Sequence, residues 1–164
     1  MHSILCLSGV VSAALVFTAF APSAVAQEAT SVWTCQPVGS SQPEPLGDRE
    51  GHLLTVGLYT CQIDGGLLSG GVATGTDIWE WDGPKGVRIA ASGVVRKTGA
   101  TAAYSGGTGN ATLTMANGKV TGWTSSGTGK WVLGTGAWVP LVGKSDTWTA
   151  KPGPVGFSVE QKFE

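Results

Sequence analysis

Residues 72–97, VATGTDIWEWDGPKGVRIAASGVVRK, decide the fold class, because they hold two alternating segments joined by a turn. Trp79 and Trp81 fall on one face of the first segment, and the residues between and beside them fall on the other. A period of two predicts β-strands, and the intervening residues 82–86, DGPKG, have turn composition. The stretch therefore predicts an antiparallel hairpin.

The same pattern continues on both sides of this hairpin. Asn117-Gly118 stands between two further alternating segments, and this dipeptide favours the tight turn of a hairpin because both residues tolerate positive φ. No window keeps apolar residues at helical spacing for three turns. The predicted strands cover residues 31–36, 52–63, 72–82, 87–97, 101–105, 111–115, 119–126, 131–142, 144–150 and 155–163.

These segments predict an all-β protein with eight to ten antiparallel strands. Glycines recur inside successive strands, as expected where the strands of a small barrel bend. We therefore predict a single antiparallel β-barrel of about eight strands in residues 27–164, with a β-sandwich as the alternative architecture.

Residues 1–26 have the composition of a secretory signal peptide. They carry no Asp, Glu, Lys or Arg, hold an apolar run over residues 10–20 and end in Ala24-Val25-Ala26. That ending matches an A-x-A cleavage site, and the apolar run is too short for a transmembrane helix. We expect cleavage after Ala26, a secreted or periplasmic protein, and no integral membrane span.

Two of the three cysteines, Cys35 and Cys61, remain after that cleavage. In an oxidising compartment a disulfide between them is the expected pairing, and loop entropy gives it a contribution of about 3–4 kcal/mol. There is no Cys-x-x-Cys motif, and His52 is the single histidine beyond the leader. We therefore expect no metal site.

The charge pattern argues against two classes of partner. Ten basic and eleven acidic residues give a net charge of −1, and the only adjacent basic pair is Arg96-Lys97. Binding to nucleic acid or to an anionic membrane surface needs a basic patch. No nucleotide-binding motif is complete either, so the sequence predicts no cofactor, while the oligomeric state stays open.

One polar cluster precedes the longest predicted strand. Asp48, Glu50 and His52 fall within five residues, and such a group at a barrel mouth could transfer protons. The alternative is a solvated turn whose charges pair with one another. Tyr59 is a further candidate, although the period of two places it on the opposite strand face from His52.

Seven tryptophans are the second candidate feature. Indoles suit stacking on rings, but core filling is their commoner use. Trp79 and Trp81 share a face and are the first choice for the wall of a ligand site. Arg88 and Arg96 come next: regular alternation places them on one face, which is either the lumen or the outer surface of the barrel.

Six short segments of the chain form a further pattern: residues 47–52, Tyr59-Thr60-Cys61, Trp79-Glu80-Trp81, residues 92–97, Tyr104 and Asn117-Gly118-Lys119. Together they resemble small secreted bacterial proteins that are similar to the allene oxide cyclase and dirigent barrel superfamily. This resemblance implies an eight-stranded antiparallel barrel whose cavity steers the cyclisation or coupling of reactive apolar intermediates, largely by its shape. It assigns no catalytic residue to a position of this chain.

Three functions remain open at this point. The first is a non-catalytic extracytoplasmic barrel that binds a small, mostly apolar molecule in its cavity. The second is a cofactor-independent cyclase or isomerase that uses the same cavity. The third is a carbohydrate or surface-interaction module that uses exposed tryptophans. A lumen lined only by apolar residues would favour binding, and a carboxylate beside a tyrosine or an arginine in the lumen would favour catalysis. Coplanar tryptophans exposed on the outer surface would favour the third function.

Overall fold

The computed structural model describes residues 30–164; the expected signal peptide and its cleavage site lie outside them. One short 3₁₀ helix covers Gly136–Leu141. The strands are β1 Thr30–Pro37, β2 Glu44–Pro45, β3 His52–Asp64, β4 Val72–Asp82, β5 Lys85–Lys97, β6 Ala100–Ala116, β7 Lys119–Gly134, β8 Ser145–Gly153 and β9 Gly156–Phe163.

Eight of these strands form a closed antiparallel barrel, which confirms the predicted fold class over the sandwich. Each strand from β3 to β8 pairs with the next along the chain, and β1 pairs with both β9 and β3 to complete the ring. The two-residue β2 is an extra strand that pairs with β3 alone. Closure leaves no long edge strand unpaired, which removes the usual template for edge-to-edge aggregation.

Two predicted interruptions are wrong, because β6 and β7 are each continuous. Gly106-Gly107 lies inside β6 and does not end a strand, and β7 runs on through Gly127 and Gly129. The predicted strand over residues 131–142 ends at Gly134, after which Pro140 lies in the 3₁₀ helix. The predicted hairpin turn is confirmed: Asn117 and Gly118 have φ of 51° and 71°.

One end of the barrel is filled by a compact core. The 3₁₀ helix and the β3–β4 loop cover this closed end, where the Trp138 indole N–H donates to the Leu67 carbonyl oxygen at 2.9 Å. Small side chains such as Ala73 and Ala102 leave room for large ones. The buried cluster comprises Trp33, Cys35, Cys61, Ile63, Leu68, Ala73, Val95, Ala100, Ala102, Trp131, Trp138 and Leu141.

The predicted disulfide is present between Cys35 and Cys61. Both residues are buried, and they are direct cross-strand partners where β1 pairs with β3. The bond therefore lies across the seam that closes the barrel.

Candidate functional site

The interior of the barrel away from the closed end holds a cavity, and a pair of tyrosines forms its floor. Tyr59, Gly75, Gly93 and Tyr104 are consecutive cross-strand partners on β3, β4, β5 and β6. The two phenols extend towards each other over the glycines, and their oxygens are 2.8 Å apart in a hydrogen bond. A Cβ at either glycine would overlap the Tyr104 hydroxyl, so the glycines make this contact possible.

A carboxyl group lies one layer above this floor. Asp77 occupies β4 between Gly57 on β3 and Ala91 on β5, and its side chain lines the cavity. A Cβ at Gly57 would overlap the carboxyl oxygen, so this glycine leaves the space that Asp77 fills. Burial raises the pKa of Asp77, although the Trp79 indole and the charge of Arg88 oppose the rise.

Tryptophans form the wall above Asp77. Trp79 and Trp81 line the cavity from β4, with ring centres 6.1 Å apart, and the Trp81 N–H donates to the Thr55 hydroxyl at 3.0 Å. Trp148 of β8 stands at 87° to Trp79, with a centre-to-centre distance of 6.5 Å. On the opposite side Trp123 packs against Phe157 at 6.0 Å. The indoles therefore surround the space from several directions.

The guanidinium of Arg88 bridges a break in the barrel wall. The β5–β6 ladder is interrupted between the pairs formed by Val87 and Ser92. Across this break Arg88 donates to three carbonyl oxygens, those of Gly107, Thr108 and Thr128. It also lies 4.5 Å above the centre of the Trp148 ring. All three bonds come from Nη2, and among the described residues Arg88 Nε is buried without a hydrogen-bond partner.

The predicted shared face of Arg88 and Arg96 is wrong. Trp79 pairs with Arg88 while its neighbour Ile78 pairs with Ala90, so Ile89 is an extra residue in β5. This bulge reverses the alternation, which sends Arg88 into the cavity and Arg96 to the outer surface beside Thr74.

The cavity has a volume of about 400 Å³, within the range of small-molecule sites. Aromatic and aliphatic side chains form most of its surface, and three of its residues carry formal charges: Asp77, Arg88 and Asp146. Asp146 is 2% exposed, and burial raises its pKa against the opposing effects of Gln161 and Trp131. Burial also raises the pKa of Tyr59 to about 12 and that of Tyr104 well above its ordinary value.

The cavity borders a gap in the ladders along β3. Pairing with β1 ends at Tyr59, and pairing with β2 begins at Leu54. Between them one backbone bond, from Val38 N to Leu58 O, links β3 to the segment after β1. Residues 38–41 of that segment line the cavity together with Pro37, the last residue of β1. This part of the rim therefore has few ladder bonds.

The sequence-predicted polar cluster lies outside the cavity. The His52 ring bonds to Asp48 through Nδ1 at 2.5 Å and to Glu80 through Nε2 at 2.7 Å. Glu80 alternates with the inward tryptophans of β4, so His52 lies on the outer face, while Tyr59 lines the cavity. Glu50 is exposed and lines no part of the cavity. Of the four proposed catalytic residues, Tyr59 alone faces the lumen.

The described part of the chain adds two observations on other kinds of site. Residues 30–164 hold no group of three or more His, Cys, Asp or Glu side chains arranged to bind a metal ion. Among the same residues, no helix has the length and apolarity that crossing a bilayer requires.

Sequence reasoning missed several lining residues. The sequence does predict the position of Asp77: under a period of two, residues 77, 79 and 81 lie on the same face of the strand, as the two tryptophans do. Nothing in the local sequence marks Tyr104, Asp146 or Trp148 as lining the same cavity as Asp77, since the barrel brings them together only through pairing across distant strands.

Comparison of the chain with protein-family models, with curated proteins and with solved structures gives no match.

Proposed function

We propose that this protein is an extracytoplasmic barrel that binds a small, mostly apolar molecule in its cavity. One observation carries the proposal: about 400 Å³ of space opens among indole and phenyl side chains, with Asp77 as a polar group at its base. Aromatic walls with a few polar groups are typical of ligand sites. The disulfide and the leader-like residues 1–26 support the compartment, because disulfides persist where the environment is oxidising.

A matched pair of substitutions tests the cavity as the binding site. Ala111 lines the cavity, whereas its neighbour Thr112 is exposed on the outer face of β6. We expect Ala111→Phe to fill the space and abolish the uptake of an apolar fluorescent dye, and Thr112→Phe to leave uptake unchanged. Equal uptake by both variants, with folding verified by circular dichroism, would contradict the proposal.

Native mass spectrometry of the protein isolated from its own compartment identifies the ligand. A small molecule retained by the unsubstituted protein and lost from Ala111→Phe is the expected result. If the ligand is also retained by Ala111→Phe, it occupies another site and the cavity assignment fails.

A cyclase or isomerase reaction in the same cavity is the second candidate, as the resemblance to the allene oxide cyclase and dirigent barrels suggests. Asp77 favours it, since a carboxyl group beside Tyr59 and Arg88 in an apolar space is suited to proton transfer. The retained ligand distinguishes the two functions: a catalyst returns it chemically altered after incubation, and Asp77→Asn stops the change. A binding protein returns it unchanged.

The carbohydrate module has the least support. Its sequence argument requires coplanar tryptophans exposed on the outer face, but none of the seven is exposed in residues 30–164. Five of the seven line the cavity: Trp33, Trp79, Trp81, Trp123 and Trp148. The other two, Trp131 and Trp138, belong to the core at the closed end.

A further inference from the structure

The charges that line the cavity do not balance. Two carboxyl groups, Asp77 and Asp146, face a single guanidinium, Arg88. If all three are ionised, the lining is negative by one charge. Asp146 is almost completely buried, whereas Asp77 is only partly buried and borders the open space. Of the two carboxyl groups, Asp77 is therefore the one that a ligand can reach.

Arg88 does not neutralise Asp77 by direct contact. Its Nη2 donates to the Gly107, Thr108 and Thr128 carbonyl oxygens, and its Cζ lies 4.5 Å from the centre of the Trp148 ring. No ion pair joins it to Asp77 among the described residues. A carboxylate offers about four acceptor positions, so Asp77 retains capacity for a ligand after its contact with the Trp79 indole.

The surrounding indoles suit a cation. A cation within about 6 Å of an indole centre is attracted by the negative face of the ring, and the attraction grows when water is excluded. Arg88 already makes such a contact with Trp148 at 4.5 Å inside this cavity. Trp79 and Trp81 belong to the same strand and the same face as Asp77, with Trp148 nearly perpendicular to Trp79. They form an aromatic corner beside a carboxyl group.

We propose that the ligand is an organic cation, an apolar molecule bearing an alkylated ammonium group, held between the carboxylate of Asp77 and the indoles of Trp79 and Trp81. This inference rests on the proposed binding function and names its ligand class. The ammonium supplies the positive charge that the lining lacks, and the apolar remainder of the molecule fills the aromatic space.

Three probes with the same benzyl body test the assignment. They are benzyltrimethylammonium, its neutral isostere neopentylbenzene, in which carbon replaces nitrogen, and phenylacetate. Binding to the full-length mature chain is followed through tryptophan fluorescence and calorimetry. We expect the cation to bind at least tenfold more tightly than the neutral isostere, although transfer from water favours the isostere, and we expect phenylacetate to bind most weakly.

Asp77→Asn and a charge-matched control identify the residue responsible. Asp77→Asn is expected to remove the preference for the cation while binding of neopentylbenzene persists. Asp64→Asn removes one carboxylate from the exposed end of β3, outside the cavity, and is expected to leave all three affinities unchanged. Because the preference is also measured in the unsubstituted protein, the test remains decisive if Asp77→Asn fails to fold.

The outcomes separate the two proposals. Equal or tighter binding of neopentylbenzene overturns the cation assignment but leaves the binding function standing. Tightest binding of phenylacetate overturns it in favour of recognition by Arg88. If Asp64→Asn loses the preference as fully as Asp77→Asn, the effect arises from net charge and the assignment to Asp77 fails. If none of the three probes binds and the apolar dye does not bind either, the binding function itself is contradicted.

Discussion

At the scale of single residues, His52 links the segment after β1 to the barrel wall. Hydrogen bonds to Asp48 and then to Glu80 raise the pKa of His52, and the bond to His52 lowers the pKa of Asp48. A raised histidine pKa stabilises the folded state fully below the unfolded value of about 6.5, and the contribution is lost as the pH rises through the folded pKa.

The raised pKa of His52 and the lowered pKa of Asp48 predict that the free energy of unfolding falls towards both higher and lower pH. The free energy of unfolding should fall as the pH rises through the folded pKa of His52. It should also fall at acid pH, because Asp48 stabilises the fold above its unfolded pKa of about 3.9 and that contribution disappears as the pH falls through its lower folded pKa. Urea unfolding across pH measures both effects, and His52→Gln should remove the alkaline one. A His52 pKa at or below 6.5 by NMR titration would contradict this account.

Gly75 and Gly93 lie under the tyrosine pair and leave room for its phenols. Gly93→Ala places a methyl group where the Tyr104 phenol lies, and we expect a loss of about 1–3 kcal/mol in unfolding free energy from overpacking. Gly122→Ala is the matched control, since its new Cβ would meet only Thr114 at 4.0 Å. Equal costs for the two variants would show that general strand propensity, and not the tyrosine contact, sets the effect.

Local pattern predicts some residues of the site and misses others for a physical reason. The inward placement of Trp79 and Trp81 follows from alternation within one strand. Arg88 and Arg96 were assigned to one face because the same alternation was extended through Ile89, where a bulge interrupts it. Ile89 and its neighbours carry no turn residue, so the sequence offers no signal for that bulge.

At the scale of elements, the barrel depends on the seam between β1 and β3. Six residue pairs join these strands, and the disulfide lies among them. The seam connects elements that are separated by the long segment containing β2. In the unfolded chain the disulfide therefore holds together the two segments, β1 and β3, whose pairing closes the barrel.

Removal of the disulfide should destabilise the barrel without changing its strand order. For the 26-residue separation of Cys35 and Cys61, loop entropy predicts that the double substitution to alanine lowers the unfolding free energy by about 3–4 kcal/mol. Urea unfolding measures the loss, and far-ultraviolet circular dichroism checks that the β content persists. A double variant as stable as the parent would show that the β1–β3 ladder closes the barrel unaided.

Two glycine-rich stretches give wrong predictions of where strands end. Gly106-Gly107 and Gly127 to Gly129 have the composition of strand ends, yet both lie within continuous strands. These positions accommodate close neighbours: a Cβ at Gly106 would meet Ala91 and Arg88, and one at Gly127 would meet the Thr108 carbonyl oxygen and Trp148. In this barrel such glycines mark the close approach of a neighbouring strand or side chain, which only the tertiary structure reveals.

At the scale of the whole molecule, the interior is divided along the barrel axis. The closed end is packed with buried side chains, and the opposite half contains the cavity. Tyr59 and Tyr104 form the boundary, since they pack against the core and also line the cavity. Their ionisation should therefore depend on the integrity of the whole barrel.

Tyr59 and Tyr104 are the only two tyrosines of the chain, so its tyrosinate absorbance reports on this pair alone. Burial raises the pKa of Tyr59 to about 12 and that of Tyr104 well above 10, so the folded state holds their protons more tightly than the unfolded state. This contribution is fully present below about pH 10 and is lost as the pH rises through the folded pKa values. Tyrosinate absorbance and loss of β circular dichroism should therefore share one alkaline midpoint. In Tyr59→Phe, Tyr104 should still ionise at the same pH at which that variant unfolds. If tyrosinate forms near pH 10 while the barrel is intact, the pair is open to water and this account is wrong.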